Sequence, residues 1–100
     1  MATLTKALFR GAAATSSATL YTVPSATTTV VTNIAVCNNA TSAATFTILL
    51  DDIELHKDTA IAANSTVYID CKQVLAAAKT IKGFASATTI DFHISGVEIA

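Results

Sequence analysis

The chain is short of the residues that most often mark a chemical site or a nucleic-acid surface. It has three glycines, at positions 11, 83 and 96, so no glycine-rich phosphate loop can be built. It has no tryptophan and only six aromatic residues (four Phe and two Tyr). The Trp and strand-cysteine markers of true immunoglobulin domains are therefore missing. Charged residues make up 13% of the sequence, about half the usual ~25% of soluble domains. The six Lys and Arg are scattered and the net charge is −1. A nucleic-acid binder needs clustered cations to displace counterions from phosphates, so that class is set aside. Cys37 and Cys71 stand alone, in no CxxC or other metal spacing. They could form one disulfide; the plainer reading is two small buried hydrophobes.

The most uneven deficit is positional. No Asp, Glu, Lys or Arg occurs across residues 11–50. Thr, Ser and Asn interrupt this stretch, and no run of about 18 apolar residues exists to span a membrane. Lys6 and Arg10 resemble a basic signal-peptide start, but residues 11–17 lack the apolar stretch that must follow. The chain reads as mature from Met1 or Ala2.

What is abundant points to strands. Hydrophobic residues make up 52% of the chain, which excludes disorder. Val, Ile, Thr, Tyr and Phe favour extended backbone, and turn-like clusters recur every 8–12 residues. One hundred residues make a single domain, with residues 1–17 partly an extended N-terminal arm. The spacing predicts strands over residues 3–9, 19–23, 28–37, 44–50, 53–57, 66–71, 81–85 and 90–99, with a short one at 60–63. Pro24, without an amide hydrogen, ends the second. Asp51-Asp52 is the turn of a hairpin, because Asp tolerates left-handed backbone. Phe46, Ile48 and Leu50 share a face, as do Val67, Ile69 and Cys71, and as do Ile90, Phe92 and Ile94. Alternation puts Val30, Thr32, Ile34 and Val36 on one face of the third strand. Residues 73–80 read as a single helical turn or a loop. Gly96 marks a bulge. An antiparallel β-sandwich of about eight short strands, jelly-roll or immunoglobulin-like, is the natural closure.

Candidate chemistry is sparse. Alternation lines up Asp52, Glu54, His56 and Asp58 on one strand face, where carboxylates and an imidazole suggest a divalent metal. Same-face neighbours stand about 7 Å apart, too far for one ion with bonds of about 2–2.6 Å; a solvated hairpin face is the better reading. Asp91, His93 and Ser95 mimic a hydrolase triad, but the same spacing bars a hydrogen-bond relay, and no GxSxG elbow supports the serine. Cys37 has no histidine that the sequence can place beside it. Asn39-Ala40-Thr41 and Asn64-Ser65-Thr66 match the glycosylation sequon and read as turns. No catalytic, cofactor or metal residue is nominated, and no membrane contact.

One arrangement resembles a known group. Leu20-Tyr21-Thr22-Val23-Pro24 precedes Val30, Ile34, Val36-Cys37-Asn38, then Ala43-Ala44-Thr45-Phe46-Thr47-Ile48, and the chain ends in Ser95-Gly96-Val97-Glu98-Ile99. From about Ala18 onward this is similar to small β-sandwich virion proteins of tailed bacteriophages: capsid decoration, head-fibre and tail-associated modules. The turn departs from that pattern, with Asp51-Asp52 where such proteins often carry glycines. The resemblance implies a non-enzymatic capsid decoration or cement protein. It would be made in the host cytoplasm, form a homo-oligomer with a trimer favoured, and bind the major capsid protein or other virion proteins on the outer shell. The alternative is a neck, tail or head-fibre module that binds host receptors through residues 38–43 and 86–89. The charge-free half is expected to pack against a neighbour or the shell, leaving the half with Lys57, Lys72, Lys79 and Lys82 in solvent.

Overall fold

The computed structural model describes residues 3–100; Met1 and Ala2, and with them the expected start of the mature chain, lie outside the described residues. Eight strands follow one another: β1 (Thr3–Ala12), β2 (Ala18–Thr22), β3 (Thr28–Asn38), β4 (Ala44–Leu50), β5 (Ile53–Ile61), β6 (Ser65–Leu75), β7 (Thr80–Ala85) and β8 (Ile90–Ile99). They form two four-stranded antiparallel sheets, ordered β1-β8-β3-β6 and β2-β7-β4-β5. The pairings β1–β8, β2–β7, β3–β6 and β4–β5 are nested around the central β4–β5 turn. This is jelly-roll connectivity, one long hairpin folded over twice. The immunoglobulin-like alternative, which groups its strands differently, is excluded.

The two sheets close on Phe46 and Phe92, edge-to-face with centroids 6.4 Å apart, and on buried Ile34, Val36, Ile48, Ile81, Ile90 and Ile94. The period-2 faces of β4, β6 and β8 lie as their alternation predicts. On β3 the alternation breaks. Two residues, Thr32 and Asn33, fill the space opposite Ser95, so the register shifts between Val31 and Asn33. Val31 thereby joins Ile34 and Val36 in the core, while Thr32 turns to solvent. A matching bulge in β1 falls at Leu8. Gly96 sits between these two bulges rather than forming one. A Cβ there would run into the Val30 carbonyl and come within 2.9 Å of Leu8 Cδ1. Its role is to make room; its φ is not positive.

Left-handed backbone falls instead to Ala26, Asp51, Asp52, Asp58, Asn64 and Ala78. Asp51 and Asp52, with φ of 55° and 59°, make the hairpin turn that joins β4 to β5. Residues 73–80 form no helical turn. Gln73–Leu75 completes β6, and a tight turn at 76–79 leads into β7. Of the strand read at 60–63, Ala60 and Ile61 are the end of β5 and the other two residues belong to the turn before β6. Residues 3–12 are not a free arm, because β1 pairs with β8 from Thr3↔Ile99 to Ala12↔Asp91.

The charge-free stretch 11–50 does not form one half of the molecule. Its β3 runs inside one sheet between β8 and β6, its β4 inside the other between β7 and β5, and β2 lies on an edge. An interior place in a sheet does not by itself exclude charge, since β7 and β8, also interior, carry Lys82, Asp91 and Glu98.

Gly96→Ala is expected to destabilise the fold by about 1–3 kcal/mol through overpacking against backbone. Gly11→Ala, whose Cβ meets only the edge of the Phe9 ring, is expected to cost less. Urea unfolding of both variants measures the difference.

Candidate functional site

The residues singled out in the sequence are dispersed by the fold. Asp52 and Glu54 do not share a face with His56. β5 slips against β4, so Glu54 lies opposite outward Leu49 and His56 opposite inward Ile48. His56 packs on Phe46, centroids 5.8 Å apart, and its Nδ1 lies 3.3 Å from Thr59 Oγ1. Asp52 is held by Lys82 at 2.6 Å. Among the described residues no three His, Cys, Asp or Glu gather as metal ligands. Asp91, His93 and Ser95 do share the outer face of β8, but Asp91 accepts from Asn39 Nδ2 at 2.8 Å and the Ser95 carbonyl from Thr32 Oγ1 at 3.3 Å. Cys37 lies on the outward side of β3 and Cys71 on the core side of β6, and both thiols are free. Burial pushes the Cys71 thiol pKa up.

What the fold does build is a polar contrast between the two ends of an elongated molecule, 46 × 21 × 18 Å. One end gathers the loops 13–17, 39–43, 62–64 and 86–89. All four consist only of Ala, Ser, Thr and Asn. Three of them, 39–43, 62–64 and 86–89, are tied together through Asn38, which is fully buried. Its Nδ2 donates to the Ser42 carbonyl at 2.9 Å, with the Ile61 and Ala62 carbonyls at 3.4 and 3.3 Å. Its Oδ1 accepts from the Ala40 amide at 3.1 Å and the Thr89 hydroxyl at 3.4 Å. The backbone adds Asn39 N to Thr89 O, Asn64 N to Ala40 O and Ala85 N to Ala14 O. Residues 38–43 and 86–89, remote in sequence, therefore form one continuous surface. Asn39 and Asn64 of the two sequons sit on this end as turn residues, Asn64 with φ of 51°.

The opposite end carries the loops 23–27, 51–52 and 76–79 and is charged. Lys79 pairs with Asp51 at 3.5 Å and Lys82 with Asp52. Deeper in, Glu98 lies 7% exposed on the core side of β8. The Tyr21 hydroxyl donates to Glu98 Oε2, and the Thr29 hydroxyl, 2.9 Å away, donates to Tyr21. Lys6 Nζ stands 3.4 Å from both carboxylate oxygens. This group ties β1, β2, β3 and β8 together across the two sheets. The Tyr21 hydrogen bond, more than Lys6, lowers the Glu98 pKa against the opposing effect of burial. Burial first, and then the Glu98 contact, raises that of Tyr21.

Sequence alone did not single out Asn38 or Glu98. The signal for Asn38 was a polar residue continuing the face of Ile34 and Val36 one step past residue 37, where the sequence reading ended the strand. Glu98 likewise continues the inward series of β8, Ile90, Phe92, Ile94 and Gly96. No protein-family model matches the chain, and no curated protein matches it.

Two outcomes follow. Asn38→Ala strands several buried carbonyls and is expected to cost about 2–4 kcal/mol. Hydrogen exchange should rise in residues 39–43 and 86–89 before the rest of the chain. A carboxyl whose pKa is lower when folded stabilises the fold above the unfolded carboxylate range, and loses that contribution as pH falls through the folded value. Tyr21, shifted up, contributes fully below the ordinary phenol range, and its contribution is lost as pH rises through the folded value. Melting temperatures recorded against pH should therefore fall at the acid side for the native chain and fall less steeply for Glu98→Gln.

Proposed function

We propose that this chain is a non-enzymatic structural protein of a bacteriophage virion, a decoration or cement protein that attaches to the outer capsid surface. The observation that carries the reading is the uncharged loop end fixed by Asn38. Docking loops of Ala, Ser, Thr and Asn desolvates few ions, and Asp91 beside them already accepts from Asn39. It also immobilises few rotamer-rich side chains, so little of the gain from buried apolar area is lost. The charged end would then face solvent. The likeness of residues 18–99 to small virion proteins supplies the context, and the jelly roll is a fold that capsid proteins use.

Size bears on stoichiometry. The end is narrow, 21 × 18 Å across, so linked copies would add contact and gain by multivalency. This favours a homo-oligomer on the shell.

A second reading, a neck, tail or head-fibre module that binds host receptors, is favoured by the same junction of residues 38–43 with 86–89. It differs in which surface the loops meet.

Thr41 and Thr88 are both exposed on this end. Thr41→Lys/Thr88→Lys should leave the fold intact and reduce retention on purified capsids by about tenfold or more, since charge must then be desolvated. Immunogold labelling of particles should mark the shell. Label confined to the tail, or full capsid retention of the double variant, would overturn the capsid assignment; binding of the isolated protein to host cells would favour the second reading.

A further inference from the structure

Each side of the sandwich presents two edge strands, β1 with β2 and β5 with β6. All four edges carry a register shift, a feature that discourages pairing. β1 is bulged at Leu8, β2 is five residues long with a register shift, and β5 carries two register shifts and a left-handed Asp58. β6 is different. It is eleven residues long, and Ile69, Cys71 and Leu75 point inward while Tyr68, Asp70, Lys72 and Val74 point outward. β6 has a bulge of its own, with Cys71 and Lys72 together opposite Thr32, but Cys71 still points inward and Lys72 outward through it.

Apolar exposure is concentrated on the same side. Of the four large hydrophobics left exposed among the described residues, Tyr68 (73%) and Val74 (66%) are on β6 and Ile53 (69%) is on β5. Between these strands opens a groove of about 210 Å³, lined by Leu50, Ile53, Leu55, Val74 and Leu75. Asp70 and Lys72 contact each other only loosely, at 3.9 Å, with both side chains more than four-fifths exposed.

The outward residues of β6 are complementary to themselves in reverse. We propose that β6 is the contact through which two copies of this chain pair antiparallel, centred on Cys71, to make one continuous eight-stranded sheet. In that register residues whose numbers sum to 142 stand opposite. Tyr68 meets Val74 of the partner subunit, Asp70 meets Lys72 of the partner subunit, and each pair occurs twice. Aromatic–β-branched and opposite-charge pairs are the favourable cross-strand combinations. Backbone groups of β6 that face solvent in one copy become ladder donors and acceptors in the pair. A slip that moves the centre by one residue sets Asp70 or Lys72 against its own counterpart, like charge on like, so the side chains specify the register. The partner's β5 edge is brought toward the groove beside Ile53. An isologous contact closes at two copies, so this contact makes a dimer where the resemblance implied a trimer. It does not depend on the virion reading.

Sedimentation equilibrium of the purified full chain tests it. The native chain is expected to be a dimer in the micromolar range. Asp70→Lys sets lysine against lysine at both charged pairs of the contact and should weaken the dimer about tenfold or more. The swap Asp70→Lys/Lys72→Asp restores opposite charges across the contact and should restore the dimer. Both positions are solvent-exposed, and far-ultraviolet circular dichroism checks that the variants stay folded. Amide hydrogens of residues 68–74 should also gain protection as concentration rises. A monomer up to roughly 100 µM, an oligomer of any size indifferent to Asp70→Lys, or a swap that fails to rescue would each overturn the proposal.

Discussion

Nested antiparallel pairing governs this molecule. β1 lies against β8, β2 against β7, β3 against β6 and β4 against β5, so every strand depends on a partner placed symmetrically about Asp51-Asp52. The turn contributes little by itself, but it sets which residues can meet. Once Leu50 opposes Ile53, the chain can zip outward from the turn, and the two sheets close when the hairpin folds over. The outermost pair joins residues as far apart as Thr3 and Ile99. Long-range pairing of this kind carries a large loop-closure cost and slows folding. The Glu98 group, linking β1, β2, β3 and β8, secures the place where that cost is highest.

The same nesting sorts the loops into two sets. Connections leaving one end are made wholly of small uncharged residues, and those leaving the other carry Asp51, Asp52 and Lys79. A jelly roll lends itself to such a division because successive connections alternate between its ends. Asn38 joins three of the four loops at the uncharged end into one surface, since its amide donates to carbonyls from two of them and accepts from Thr89 of a third. Buried polar networks of this sort are stable only when every member is satisfied. Here the described residues include no buried side-chain nitrogen or oxygen without a partner.

Much of the architecture was legible in the alternation. Phe46, Ile48 and Leu50, and again Ile90, Phe92 and Ile94, announce half-buried strands because period 2 is a local property of extended backbone. The Asp51-Asp52 hairpin was legible for an equally local reason, the tolerance of Asp for left-handed φ. Gln73–Leu75 was misread because Leu and Ala favour helix and the strand continues only through its pairing with β3, which overrides that preference. The faces of β3 and β5 were misread where bulges occur. A bulge is created by two strands meeting out of step, and neither strand carries it alone. The candidate site was the least legible part, since Asn38 acts through carbonyls of residues 42, 61 and 62.

The sequence by itself determined the class: strands from β-rich alternation, one domain from length, and no charge over residues 11–50. Only the tertiary structure decided what that missing charge means. The stretch is dealt out over β2 on a sheet edge and β3 and β4 inside two different sheets, with its loops at both ends, and is not a single buried half. Which strands become neighbours is a property of the nested pairing, which no stretch of sequence contains.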